Sequence, residues 1–223
     1  MEKRFLALIL MILTLASFCL IPHAEDAASQ DDITILFTSD LHSHLLPSPN
    51  EDGEGEYGGY ARLMTLIKEQ KALDPDAILV DGGDFSMGSL FQTAFPTSAI
   101  ELRMMGAMGF DVTTFGNHEY DWGEEPIKDN AKIANFPFLG INIYDSSTNK
   151  RVDYCKSSVF IDAGVVQIGI IGAIGDCYSS IAADMRQGVY FVTGDSLTQL
   201  VKKESQNLKA MGADFIIYML HDG

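Results

Sequence analysis

Short apolar runs alternate along this chain with longer segments whose apolar residues recur at helical spacing. Ile33-Thr34-Ile35-Leu36-Phe37-Thr38 is β-branched and apolar, and predicts a buried strand. Residues 47–59 are acidic and rich in glycine and proline, which predicts a loop. Residues 60–73 carry Ala61, Met64 and Ile67 at helical spacing and end before Pro75. Ala77-Ile78-Leu79-Val80 predicts a second strand, ended by Asp81-Gly82-Gly83. A helix is expected over 96–109, with Pro96 near its start and Gly109 at its end. Then come a strand over 111–115, a helix over 124–135 and a strand over 138–143. A fifth strand over 165–171 can pair with 158–162. A long amphipathic helix over 196–211 precedes a last apolar strand over 214–220. Strands alternating with helices argue a layered α/β fold. There is no internal repeat and no low-complexity tract.

The N-terminus has a different pattern. Lys3 and Arg4 precede an apolar run from Phe5 to Ile21, broken only by Thr14, Ser17 and Cys19, and Pro22-His23-Ala24 follows. A basic start, an apolar run and small residues beyond it predict a secretory signal peptide over 1–24, with a flexible leader over 25–32. An uncleaved N-terminal anchor is the second reading, and the one route to a membrane. Phe18 before Cys19 argues against a lipidation site. The expected location is exported: periplasm, cell surface or extracellular. Cys155 and Cys177 remain beyond the leader. An exported protein can pair them; two small buried residues are the other reading. Their separation is not a zinc-knuckle spacing.

Composition narrows the function. Of 223 residues, 47% are hydrophobic and 21% charged, which fits a globular chain rather than a disordered one. Asp and Glu outnumber Lys and Arg by 31 to 15, giving a formal charge of −16. Such a surface repels phosphate backbones, so a general nucleic-acid binder is excluded. Acidic groups gathered at one place would instead attract cations.

In layered α/β folds, functional groups collect just beyond the carboxyl ends of strands. Four strands here run out into polar residues: Ser39-Asp40-Leu41-His42, Asp81-Gly82-Gly83-Asp84, Gly116-Asn117-His118-Glu119 and His221-Asp222. Asp40 and His42 can turn toward one cation if the backbone leaves its strand between them; carboxylate with imidazole suits zinc, manganese or iron. Asp84 has two oxygens and can bridge two cations, with Gly83 clearing the approach. Asn117 offers a neutral oxygen. His118, adjacent to it, is better placed to touch substrate, and Asp121 can hold its ring. His44 is a loop histidine near the site. Met104, Met105 and Met108 are expected in the core, and the acidic residues 51–56 in a solvated loop.

These residues resemble a known family. Asp40-x-His42, Gly83-Asp84 with Gly88, Gly116-Asn117-His118-Glu119 and His221 are similar to the ordered signature of calcineurin-like metallophosphoesterases. Residues 57–63 (Tyr-Gly-Gly-Tyr-Ala-Arg-Leu), Ala99-Ile100-Glu101-Leu102, residues 116–123 and residues 136–142 resemble the secreted 5′-nucleotidase branch. The resemblance runs over 33–223, the expected catalytic domain, and implies a layered αββα sandwich. It implies that Asp40 and His42 hold one divalent ion (zinc, manganese or similar), that Asp84 bridges two, and that Asn117 and His221 hold the second. It further implies that His118, oriented by Asp121, stabilises the phosphoryl transition state or protonates the leaving oxygen. Two such ions, about 3.5–4 Å apart, would clamp the phosphate and acidify an attacking water. The implied substrate is a small nucleotide.

The sequence departs from the family in one respect. The pattern should continue into a Gly-His-x-His type segment and a C-terminal domain, but the sequence stops at Gly223. The domain is therefore expected to be partial, incomplete at its C-terminus, with weak or no turnover alone. Cyclic-nucleotide phosphodiesterase, nucleotide-sugar pyrophosphatase and an inactive metal-binding remnant are the alternatives.

Overall fold

The computed structural model describes residues 32–164 and 166–222. The signal peptide expected over 1–24, and the leader apart from Asp32, lie outside the described residues. From Ile33 on, the elements are β1 (Ile35–Thr38), β2 (Ser48–Pro49), β3 (Glu56–Tyr57), α1 (Tyr60–Leu73), β4 (Ile78–Asp81), α2 (Phe95–Ser98), α3 (Ile100–Met108), β5 (Val112–Thr114), α4 (Glu124–Ile133), β6 (Phe138–Leu139), β7 (Ile143–Asp145), β8 (Ser158–Ala163), β9 (Val166–Ile174), β10 (Val189–Phe191), α5 (Gly194–Ala210) and β11 (Phe215–His221). Among these described residues, no helix is long and apolar enough to cross a membrane.

Two sheets form the middle of the molecule. The first is parallel, in the order β1-β4-β5-β6; the second runs β11-β9-β8, with β11 parallel and β8 antiparallel to β9. They pack face to face through Ile78, Val80 and Val112 of the first and Ile168, Ile170 and Met219 of the second. A Cβ on Gly172 would collide with the Leu139 side chain, so glycine sets how closely β9 approaches β6. The other face of the first sheet carries α1, α3 and α4, with Ile67, Leu102, Met105 and Ile127 in one core with Leu79 and Phe115. Against the second sheet lies α5, with Leu197 and Leu208 on Ile171 and Ala173. The layering is helix, sheet, sheet, helix, and the inner strands β4 and β9 are buried along most of their length, as their apolar runs require.

Several expectations are corrected. The helix expected over 96–109 is broken at Ala99, which is left-handed (φ 49°) and buried. Phe95 O keeps the Ala99 N–H at 3.2 Å and gains Asn130 Nδ2 at 3.0 Å, while Ser98 O accepts Arg103 Nε at 2.7 Å. The strand expected over 138–143 is also interrupted. Past β6, Gly140 N–H bonds Lys156 O and Ile141 N–H bonds Gly172 O, and the Asn142 side chain ties the carbonyls of Ile174 and Val192. The chain thereby leaves the first sheet, and β7 pairs with β10. The loop over 47–59 contains the small β2–β3 hairpin. Cys155 and Cys177 are free and buried, and burial pushes both thiols up to about 12. The antiparallel partner expected for the 165–171 strand is β8.

Candidate metal centre

The carboxyl ends of β1, β4 and β5 meet at Asp81, the last residue of β4. Its buried carboxyl accepts the hydroxyls of Thr38 (2.6 Å) and Thr113 (2.8 Å) and the N–H of Gly83 (3.0 Å). Burial raises its pKa to about 6 against these three hydrogen bonds. Beyond Asp81 the backbone turns through Gly83 (φ 94°), where a Cβ would stand 2.5 Å from Gly116 N and 2.6 Å from Phe115 C. Glycine is what lets the loops after β4 and β5 touch.

Asp40 (φ 55°), His42 (φ 46°) and Asp84 (φ 53°) are all left-handed, a conformation that costs energy for residues with a Cβ. A backbone ladder holds them there. Asp40 N–H bonds Gly83 O at 3.0 Å, His42 N–H bonds Asp84 O at 3.0 Å, and Ser43 N–H bonds Phe85 O at 2.9 Å.

Asp84 is the hub. Its Oδ1 accepts the backbone N–H of His118 at 2.9 Å. Its Oδ2 faces His221 Nε2 at 3.2 Å and His42 Nε2 at 3.9 Å. Each of these two rings is steered from its other nitrogen. His42 Nδ1 donates to Met87 O (3.2 Å) and His221 Nδ1 donates to Gly82 O (3.0 Å). A carbonyl only accepts, so each Nδ1 carries hydrogen and each Nε2 is the nitrogen presented to Asp84. In the metal-free protein burial disfavours a charged His221, but the hydrogen bond and charge of Asp84 prevail and raise its pKa to about 9. The Asp84 carboxyl shifts down despite its own burial, because His221 and the His118 N–H favour the anion.

Two donor triads result, each with its ligand atoms within 4.8 Å of one another: Asp40, Asp84 and His221, and His42, Asp84 and His118. Asp84 is common to both. Asp40 Oδ1 also stands 3.6 Å from His42 Nε2, so the Asp40–His42 pair that the resemblance implies lies within the same cluster. The His118 and His42 rings meet edge to face at 5.2 Å. The donor set suits divalent ions, being imidazole nitrogen and carboxylate oxygen with the imidazole tautomers already set.

His118 begins a short 3-10 turn, and its Nδ1 lies 2.5 Å from Asp121 Oδ2. Burial opposes its protonation, but the Asp121 hydrogen bond and the charges of Asp84 and Asp121 outweigh burial and raise its pKa. Asn117, His118, Asp40, Asp84 and His221 all line one open cleft of about 430 Å³. His44 is exposed and belongs to neither triad.

Other residues of the site were given no role by the sequence. Glu119 is completely buried and accepts the N–H groups of Asp84 (2.9 Å), Ser86 (3.0 Å) and Gly116 (2.7 Å) and the Ser86 hydroxyl (2.9 Å). It ties the loop after β4 to the loop after β5. Burial first, and the Asp84 charge second, raise its pKa to about 7. Its place in the Gly116-Asn117-His118-Glu119 motif is the hint that the sequence offers. Ser180 and Asp222 line the cleft as well, the latter accepting the Asp176 N–H at 3.1 Å.

Comparison with known proteins places this geometry. Residues 33–171 match the calcineurin-like phosphoesterase family. The snake venom 5′-nucleotidase of Gloydius brevicauda is 31% identical over 206 residues, 88% of this chain and 34% of that protein. A probable 5′-nucleotidase of Treponema pallidum is 28% identical over 205 residues, 89% of this chain and 34% of the relative. The chain thus spans about a third of the length of these relatives. Among solved structures, a 5′-nucleotidase precursor from Thermus thermophilus superposes with a TM-score of 0.71 at 25% identity, over 85% of this chain and 37% of that one. The sulfate thiohydrolase SoxB of a Thermus species shares the fold, with a TM-score of 0.75 at 19% identity, over 86% and 44% of the two chains. With the signature loops around Asp84 and a family match over more than half its length, the chain belongs to the calcineurin-like phosphoesterases.

Proposed function

We propose that this chain carries the catalytic centre of an exported, metal-dependent phosphohydrolase of the 5′-nucleotidase type, releasing phosphate from nucleotides. The observation that carries the reading is the Asp84 carboxylate, which faces His42 and His221 and lies with Asp40 and Asn117 at one cleft. Asp40, His42, Asp84, Asn117 and His221 are the residues that would hold two divalent ions. When bound, such ions would neutralise the phosphoryl oxygens and acidify an attacking water.

The remaining work falls to the chain itself. The cleft is open enough for a phosphate ester to enter beside Asp40, Asn117 and His118. With Nδ1 of His118 taken by Asp121, its Nε2 is free to meet substrate. A protonated ring there would hold a developing phosphoryl charge or give its proton to the leaving 5′-oxygen. The 5′-nucleotidase relatives support a nucleotide substrate. The signal-like residues 1–24 support action outside the cytoplasm, in keeping with a venom relative.

His118→Asn tests this reading. Nucleotide hydrolysis in Mn²⁺ is expected to fall by about a hundredfold or more while calorimetry still counts two ions. One ion instead of two would make His118 a ligand. No change in rate would leave the chain a non-catalytic metal binder.

A further inference from the structure

Glu101 is the second residue of α3 and is wholly buried. It belongs to a motif that carries the family resemblance, yet neither triad contains it. Its Oε1 accepts the Ser43 hydroxyl at 2.6 Å, and its Oε2 has no hydrogen-bond partner among the described residues. A buried carboxyl oxygen without a donor is costly. An apolar side chain would fill the same place in the core more cheaply. The one bond Glu101 makes therefore points to its use.

That bond ends on the residue after His42. Ser43 is left-handed (φ 51°), like His42 before it. Its polar groups are held from separate segments. The N–H bonds Phe85 O at 2.9 Å, the carbonyl accepts Ser89 Oγ at 2.5 Å, and the hydroxyl bonds Glu101. The left-handed break at Ala99 starts α3 anew and so fixes where Glu101 stands.

We propose that Glu101 is a positioning residue: by gripping the Ser43 hydroxyl it holds the 42–43 backbone left-handed, and so keeps His42 Nε2 turned toward Asp84. The inference rests on the reading of this site as a metal centre. Glutamine keeps an acceptor for Ser43, leucine removes it at similar volume, and Ser43→Ala removes the other partner.

The test uses the full chain in four variants: Glu101→Gln, Glu101→Leu, Ser43→Ala and the Leu/Ala double. Thermal unfolding confirms that each is folded. Nitrogen-edited imidazole spectra of the metal-free protein report the His42 tautomer, and calorimetry with Mn²⁺ reports affinity. Glu101→Leu and Ser43→Ala are each expected to shift the His42 signals and weaken Mn²⁺ binding by roughly 10- to 100-fold. The double variant should be no weaker than either single, and Glu101→Gln should stay near wild type. If Glu101→Leu does not fold, Ser43→Ala decides alone, since it removes one hydroxyl. Unmoved His42 signals in a folded Ser43→Ala, additive effects, or a Glu101→Gln as damaged as the leucine variant would each overturn the proposal. Should wild type take up no Mn²⁺, the metal-centre reading fails, while the metal-free His42 spectra still decide on Glu101.

Discussion

His221 Nε2 stands 3.2 Å from Asp84 Oδ2, although Asp84 follows β4 of the first sheet and His221 ends β11 of the second. The pair joins the two halves of the sandwich at one point. Both side chains are nearly inaccessible, at 5% and 6%, so this carboxylate and this imidazole leave water only by facing each other or a cation.

The first prediction follows from Asp84 belonging to both triads. Asp84→Asn leaves one neutral carbonyl oxygen and removes the shared anion. Uptake of both divalent ions should be lost together, as counted by calorimetry with Mn²⁺. Loss of only one ion would show that Asp84 serves a single site.

Asp121 gives a prediction of the opposite kind. Its carboxylate touches His118 Nδ1 and belongs to neither triad. Asp121→Asn should lower kcat by about 10- to 100-fold, with Mn²⁺ affinity and KM near wild type. A matching loss of Mn²⁺ affinity would place Asp121 in support of the metals instead.

Sequence showed the frame of this molecule more readily than its joints. The bounds of α1 were legible because Gly59 and Pro75 punctuate an amphipathic run. The break at Ala99 was not, since alanine is the strongest helix former and the groups that stabilise the break, Asn130 and Arg103, are read only in three dimensions. The split of β6 from β7 hangs likewise on Asn142 reaching two distant carbonyls. At the site, polar residues beyond strand ends singled out Asp40, Asp84 and His221, which line one cleft. The left-handed backbone at Asp40, His42 and Asp84, which decides where each side chain points, was not legible. Glu101 and Glu119 stand in motifs that carry the resemblance, but their buried roles were hidden for another reason. An acid in the first turn of a helix is ordinarily explained by the helix dipole, and only burial reveals what else it holds.

Two glycines form a controlled comparison. Gly83 (φ 94°) has backbone atoms of Phe115 and Gly116 within 3.0 Å of a would-be Cβ, whereas Gly53 (φ 73°) has nothing within 4 Å. Gly53→Ala carries only the conformational cost, about 1–2 kcal/mol. Gly83→Ala adds a collision that neither backbone can yield to, and should also weaken Mn²⁺ binding by displacing Asp84. Urea unfolding and calorimetry separate the two effects. Equal stability losses would mean the loops have room to part.

Asp81 makes the pH dependence testable away from the ligands. Its carboxyl ionises near 3.8 when unperturbed and at about 6 in the fold, where it is fully buried. Between those values the folded chain keeps a proton that the unfolded chain has released. Stability from this group is therefore lost as pH rises from about 4 to 6, by at most roughly 3 kcal/mol. Asp81→Asn cannot ionise, and the Thr38 and Thr113 hydroxyls can turn to suit an amide. Other buried acids titrate in both proteins and cancel in the difference. Urea unfolding at a series of pH values should show the variant gaining on wild type through this window and holding its gain above it. A gap that stays constant with pH would mean that Asp81 is already ionised in the fold, its three hydrogen bonds outweighing its burial.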